Sequence, residues 1–262
     1  VGADTTRVSS SDPNLQQIPK DARWVLGNLP GHKIVAVDYS QIEVRIAADL
    51  SSDLVLKEML EHEDVHSAIA SQVFQKPVDK VTQAERKLAK AMVFTLLFGG
   101  SYKVFYNYAR RSGSKMTEEE ALELFRAFFT AFEGLWHMRQ HAYALCRHKR
   151  MAMITLPNTA RRMLFGAKMK PTIILNTPVQ GTAAVGMKLG LIEAHRRGLS
   201  KYLGAVVHDE SVSTVPNQEA RDYANEMQDS LIYGMSKVVK NVKVLAEISE
   251  LENGELPDFW MP

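Results

Sequence analysis

Apolar positions along this chain follow two periods. Short β-branched runs, Ile34 to Val37 and Ala205 to Val207, read as buried strands, and each is followed by an acid, Asp38 and Asp209. Between them the spacing becomes helical. Gln41 to Asp49 and Leu54 to Leu60 carry helical patterns, and Asp64 to Phe74 is a further helix that Lys76-Pro77 breaks. Thr82 and Glu85 have capping-box spacing, which starts a helix at Gln83; it runs to Phe98, where Gly99 and Gly100 stop it. Thr117 and Glu120 repeat that spacing ahead of a longer helix through Phe125, Phe128, Phe129 and Phe132, an aromatic stripe that reads as core.

The remaining elements are short or bounded by breakers. The first thirty residues are loop-rich, with strand potential from Trp24 to Leu26. Gly134 to Trp136 marks a bend, after which helix resumes to about Arg147. Met151 to Leu156 and Arg162 to Phe165 read as a hairpin with Pro157 and Asn158 in its turn. Thr177-Pro178 opens a helix, with proline in its favoured first turn, and Gly198 ends it. A second hairpin surrounds His208 and Asp209, and a helix from Gln218 to Lys237 leads to a last strand, Val242 to Ile248. A small antiparallel sheet with a large helical insertion makes this an α+β chain.

Composition narrows the class without deciding it. The 262 residues, 45% hydrophobic, are enough to bury a real core. With a net charge of only +2, any polyanion must be met by local patches. Arg147 to Arg150, Arg161-Arg162 and Lys168 to Lys170 are the candidates, and solvated helix ends or hairpins are the alternative. The single Cys146 excludes an internal disulfide framework and a cysteine zinc cluster, and fits a reducing compartment. No signal peptide and no bilayer-length apolar run occurs.

Two features carry candidate chemistry. Strands ending in carboxylates, set side by side, would hold two like charges a few Å apart, which is costly unless cations sit between them. Mg²⁺ takes a few carboxylates and completes its shell with water and phosphate, and a pair of such ions serves in-line phosphoryl displacement. Ordinary strand-end turns remain the alternative for either acid alone. Along the helix from Gln83, Arg86, Lys90, Phe94 and Phe98 recur every four residues on one face. Cations towards the N-terminal end and rings beyond them fit a nucleoside triphosphate laid along that face; an amphipathic helix with core rings and solvated charges is the plain alternative.

Longer stretches around these residues add a resemblance. DYSQIEVR (Asp38 to Arg45) and VHDE (Val207 to Glu210) resemble the two metal-binding motifs of family A DNA polymerases, the bacterial polymerase I group. ERKLAKAMVFTLLFGG is similar to the family's nucleotide-binding helix, R-x3-K-x3-F-x3-Y-G. Arg86, Lys90, Phe94 and Gly99 match it; Phe98 stands in the usual Tyr place, Val93 in an Asn place and Thr95 in a Gly place. TTRVSSSDPNLQQIP resembles TGRLSSSDPNLQNIP, with Thr6 for Gly and Gln17 for Asn. The segment from Asn176 resembles NxPxQGxAAD, with Val185 replacing the final Asp.

The resemblance implies a polymerase I-like right-hand fold without an evident thumb: palm at 1–52 and 171–262, fingers at 53–170. It implies template-directed DNA synthesis from dNTPs on primer-template DNA, with two Mg²⁺ ions. Asp38, Asp209 and the backbone carbonyl of Tyr39 would hold the metals, and Asp38 and Asp209 would be catalytic, with Glu210 in a secondary role. Gln41, Glu43, His66, Arg86, Lys90, Phe94 and Phe98 would meet the nucleotide, Glu43 beside its sugar. Arg7, Asn14, Gln17, Asn176, Gln180 and His208 would meet DNA. A fragment or split-gene product is expected, with a thumb or exonuclease chain as a possible partner, no membrane, and the cytoplasm of a bacterial or phage-infected cell as its place. A single-subunit RNA polymerase, a two-metal nuclease and a degenerate DNA-binding fragment remain alternatives.

Overall fold

The structure is a computed structural model that describes residues 6–10, 14–25, 27, 29–148, 151–157 and 161–261. In chain order its first elements are β1 (His32–Tyr39), α1 (Ile42–Ser51), α2 (Leu54–Met59), α3 (Val65–Phe74), α4 (Gln83–Leu96) and α5 (Tyr102–Arg111). Then come α6 (Glu118–Ala131), α7 (Glu133–His148), β2 (Met151–Thr155), β3 (Arg161–Phe165) and α8 (Pro171–Arg196). The chain closes with β4 (Leu203–Val207), β5 (Glu210–Pro216), α9 (Ala220–Ser236) and β6 (Ala246–Ile248). Two compact units result, Val1–Ile42 with Gln180–Pro262 and Glu43–Val179, the divisions falling at the start of α1 and inside α8.

The first unit is built on an antiparallel sheet in the order β4-β5-β1-β6. Alternation along β1 serves two cores. Ile34 and Ala36 pack with Val207 and Trp260, while on the other face the Tyr39 hydroxyl donates to the Leu231 carbonyl of α9 at 2.6 Å. Helices α8 and α9 cross at near backbone contact. A Cβ at Gly234 would lie 2.0 Å from the Gly190 nitrogen, so only glycine fits there.

The second unit is helical with one hairpin. Asp53 caps α2 by accepting from the Leu56 N–H at 2.9 Å and also accepts from the Leu135 N–H of α7 at 3.3 Å. Phe125, Phe128, Phe129 and Phe132 pack edge to face as core, and Arg139 lies buried against Phe125, Phe129 and Tyr143. The inner face of the β2–β3 hairpin, Ala152 and Leu164, packs on Ala142, Ile174 and Leu175. No helix among the described residues is long and apolar enough to cross a membrane.

Both capping boxes form as their spacing predicts, at Thr82/Glu85 and Thr117/Glu120. Several expectations are corrected. Trp24 lies in a 3-10 helix, Lys20–Val25, because backbone bonds close locally there, as from Ala22 N–H to the Pro19 carbonyl; Leu26 is outside the described residues. The break between α6 and α7 falls at Phe132, and Gly134 belongs to α7, where a Cβ would lie 2.8 Å from Asp53. Helix α8 starts at Pro171, not Thr177, and holds Pro178 internally. Burial of Ile174 and Leu175 keeps the preceding turns helical, and the Thr177 hydroxyl donates to the Ile173 carbonyl at 2.7 Å. The last strand shrinks to Ala246–Ile248; Val242 and Val244 are buried before it begins. Asn158 of the expected turn and Lys149 and Arg150 of the basic run lie outside the described residues, as do the side chains of Arg161 and Arg162.

Candidate active site

In the sheet unit, β1 is buried from Ile34 to Val37 and then presents Asp38 as an exposed residue before Tyr39 is buried again. The strand carrying Ala205 to Val207 is not its neighbour, contrary to expectation: β5 lies between them. Asp209 reaches β1 differently. It sits with His208 in the two-residue turn joining β4 to β5, where His208 adopts a left-handed backbone (φ 58°). The Tyr39 N–H donates to the Asp209 carbonyl at 3.4 Å, which brings the turn beside the end of β1. Burial pushes the Tyr39 phenol well above its ordinary range, and the Asp209 charge adds to that rise.

Glu210 pairs directly with Asp38 across the β1–β5 ladder, and Glu247 pairs with Asp38 on the β6 side. The Glu210 carboxylate is nonetheless engaged: it accepts from the Trp260 indole at 2.9 Å and from Arg23 at 3.2 Å, and Arg23 stacks 4.1 Å over the Trp260 ring. Neither Arg23 nor Trp260 was among the residues singled out from sequence; the only local signal was a tryptophan close behind a proline-bounded loop.

A narrow cleft lined by Arg7, Val8, Ala183, Met187, His208 and Asp209 gathers three of the expected residues. Asn14 spends its side-chain oxygen as a cap, accepting from the Gln16 N–H at 3.1 Å, and Gln17 is exposed. Gln41 has a left-handed backbone (φ 51°), and its side-chain oxygen is buried without a protein partner, as is that of Asn176. Asn176 and Gln180 lie one turn apart on α8.

The donor set at the strand ends suits a hard cation. Asp38 and Asp209 offer carboxylate oxygens from adjoining backbone. Among the described residues no three His, Cys, Asp or Glu side chains form a group that holds a metal unaided. Two carboxylates with substrate phosphate completing the shell is how Mg²⁺, rather than Ca²⁺ or Zn²⁺, is commonly held.

In the helical unit, α4 and α3 assemble the second cluster. Asp64 caps α3, accepting from the Ser67 N–H at 3.2 Å and its hydroxyl at 2.7 Å, and forms a 2.7 Å ion pair with Arg86 Nε. Burial opposes ionisation of Asp64, but the bonds from Arg86 and Ser67 outweigh it and hold its carboxyl at about 2. His66 is buried with Nδ1 lacking a partner; burial lowers its pKa first, and the Lys90 and Arg86 charges lower it further. Lys90 is exposed, 5.9 Å from the centre of the half-exposed Phe94 ring. Phe98 falls two residues beyond the end of α4, so the four-residue face ends at Phe94. Glu43 occupies the first turn of α1 and is half-buried.

The sheet unit sets the Asp209 turn beside the end of β1 at Asp38, and the helical unit carries Arg86, Lys90 and Phe94 on α4. Residues 1–252 match the model of DNA polymerase family A, and the chain belongs to that family. It is 31% identical to the DNA polymerase I of Aquifex aeolicus, across 94% of this chain and 43% of that protein. It is 33% identical to the DNA polymerase I of Chloroflexus aurantiacus, across 100% of this chain and 28% of that protein. Among solved structures, the POL domain of Pol1 from M. smegmatis, in complex with DNA primer-template and dNTP, matches with a TM-score of 0.80 at 26% identity, covering 94% of this chain and 45% of that one. The chain therefore spans less than half the length of these relatives.

Proposed function

We propose that this chain catalyses template-directed DNA synthesis. The 3′ hydroxyl oxygen of a primer attacks the α-phosphorus of a dNTP, a new P–O bond forms, the bond to the β-phosphate oxygen breaks, and pyrophosphate leaves with the hydroxyl proton passing to solvent. The observation that carries this reading is the placing of the Asp209 turn against the end of β1 at Asp38 and Tyr39. Asp38, Asp209 and the Tyr39 carbonyl would hold two Mg²⁺ ions. Bound there, such ions supply a lowered pKa at the attacking hydroxyl and charge stabilisation at the leaving oxygens.

The residues of the helical unit take the substrate's charge and shape. Lys90 and Arg86 would neutralise the triphosphate, Arg86 through nitrogens other than the one given to Asp64. His66, held neutral by burial and by those same cations, would donate a hydrogen bond rather than a charge. Phe94 would stack on base or sugar, with Gln41 and Phe98 at the nucleotide's margin. Glu43 would exclude a ribose 2′ hydroxyl by clash, so that shortening it admits rNTPs without losing dNTPs. Arg7, Asn14, Gln17, Asn176, Gln180 and His208 would contact primer and template. Glu210, engaged by Trp260 and Arg23, would position Asp38 across the ladder instead of touching metal.

The test is primer extension on a DNA template with Mg²⁺, offering dNTPs and then rNTPs. Extension with dNTPs that Asp38→Asn or Asp209→Asn abolishes is the expected result. A parent chain that prefers rNTPs turns the reading towards an RNA polymerase, and a chain that binds DNA without extending it towards a degenerate fold.

A further inference from the structure

Helices α4 and α5 enclose a groove of about 650 Å³ at the end of the pair away from the loop that joins them. Its floor is apolar and built of small side chains: Ala91 and Ala109 are buried there, with Leu88 beside them. Its rim carries Lys87 and Lys90 from α4 and Lys115 from the segment after α5, all exposed. None of these lysines forms an ion pair among the described residues, and no acid lines the groove. The acids on either side are already engaged, Glu85 with Lys76 and Thr82, and Glu120 with the Thr117 cap. Tyr108, on the α5 wall, is 47% exposed. Like charges around one groove repel one another, and an anion bound among them reverses that cost.

We infer that this groove binds a nucleoside polyphosphate of the ADP class, at a place separate from the α4 face given to the substrate. A pocket of this volume, mostly apolar with a few convergent polar groups, is of ligand size. The floor and the Tyr108 ring take the base, and the lysine rim takes the phosphates. Inorganic pyrophosphate would use the rim and leave the ring and floor idle. A DNA duplex keeps its base faces stacked inside and could offer only phosphates. Lys90 belongs to both places: it lines the groove and shares a stripe with Arg86 and Phe94. A nucleotide in the groove therefore draws the Lys90 charge away from the triphosphate. That consequence, inhibition of extension, rests on the polymerase reading, whereas the binding itself does not.

The test uses the full chain in EDTA, with ADP binding followed by isothermal titration calorimetry. The substitutions stand on the α5 side, so that the substrate face of α4 is untouched. Tyr108→Ala and Lys115→Gln should each weaken ADP binding about tenfold, the scale of one lost base stack or one lost hydrogen bond to a charged group. Tyr108→Phe keeps the ring and should bind as the parent does. Inorganic pyrophosphate should bind the parent about tenfold more weakly than ADP and be indifferent to Tyr108→Ala. With dNTPs and Mg²⁺, Tyr108→Ala and Lys115→Gln should extend primers as the parent does when ADP is absent, and should need about tenfold more ADP for half inhibition. ADP affinity unchanged in both variants overturns the proposal, as does loss on Arg86→Gln alone, which would put the nucleotide on the substrate face. Pyrophosphate that binds as tightly as ADP overturns it too. So does oligo(dT) binding that both variants weaken as much as ADP binding, which would give the groove to DNA. A parent that binds ADP as expected without extending primers removes the polymerase reading alone.

Discussion

The indole N–H of Trp260 donates to Glu210, fifty residues earlier in the chain, at 2.9 Å, and so ties the C-terminal segment to the residue that pairs with Asp38. Trp260 is fully buried, and Arg23 completes the cluster from the N-terminal side. Trp260→Phe keeps the apolar ring and the stacking surface but leaves a buried carboxylate one donor short. It should cost about 1.5–3 kcal/mol, the range for hydrogen bonds to charged groups. Trp260→Ala adds a cavity and should cost about 3–5 kcal/mol. Urea unfolding of the three proteins checks both, and a Trp260→Phe midpoint equal to the parent's would remove the bond from the account.

How much of this was legible in sequence depended on range. Capping boxes at Thr82 and Thr117 involve residues three apart, and both formed as the spacing required. The hairpin at His208 and Asp209 was legible for the same reason. The order β4-β5-β1-β6 was not, because strand adjacency is set by packing between distant segments; β5 was therefore missed as the partner of β1. Pro178 misled for a physical reason: a proline usually marks a helix start, but the buried Ile174 and Leu175 override that local rule. Buried Arg139 reads as a surface cation until the aromatic stripe it covers is placed in three dimensions.

Thr6 adopts a left-handed backbone (φ 64°) where a β-branched side chain is strained, and its hydroxyl is buried without a partner. Thr6→Gly relieves the strain, about 1–2 kcal/mol, against an entropic cost of about 0.5–1 kcal/mol. A net gain of about 0.5–1 kcal/mol is expected, read as a higher Tm. The Lys188 contact to the Thr6 carbonyl survives the change, since it uses backbone.

Gly234 tests the crossing of α8 and α9. A methyl group there would meet the backbone of Gly190, which cannot rotate away as a side chain can. Gly234→Ala should destabilise by about 1–3 kcal/mol through forced separation of the helices. Thermal unfolding measures it, and a neutral result would mean that the crossing relaxes freely.

The pH dependence of the α3–α4 cluster has a definite sign. Asp64 is held at about 2 in the folded protein, below its ordinary 3.8, so its contribution is full above the unfolded pKa and is lost as pH falls towards 2. Its side chain is 43% exposed, so screening limits the gain to about 1 kcal/mol. Asp64→Asn should therefore lower stability at pH 7 by about that amount and match the parent near pH 2. His66 adds a second effect of the same direction at higher pH. Its folded pKa lies below 6.5, so the unfolded chain binds the proton first and stability declines as pH drops below 6.5. His66→Gln should flatten that decline.

Lys90 offers a prediction with two independent readings. Among the described residues it makes no salt bridge, and its charge is one of the two cations that lower the His66 pKa. Lys90→Ala should therefore raise the His66 pKa, seen in the NMR titration of its ring protons, whether or not the chain is a polymerase. If Lys90 also faces the charge that develops on the triphosphate, the same substitution should cut kcat by about 10²-fold, the scale for removing one donor from a preorganised site. Arg86→Ala should raise the His66 pKa as well, and it also releases Asp64, so its carboxyl should climb back towards 3.8. Phe94→Ala should leave both pKa values in place and weaken nucleotide binding instead. A Lys90→Ala protein whose His66 titration moves while extension stays normal would reduce α4 to an amphipathic helix with a solvated cation.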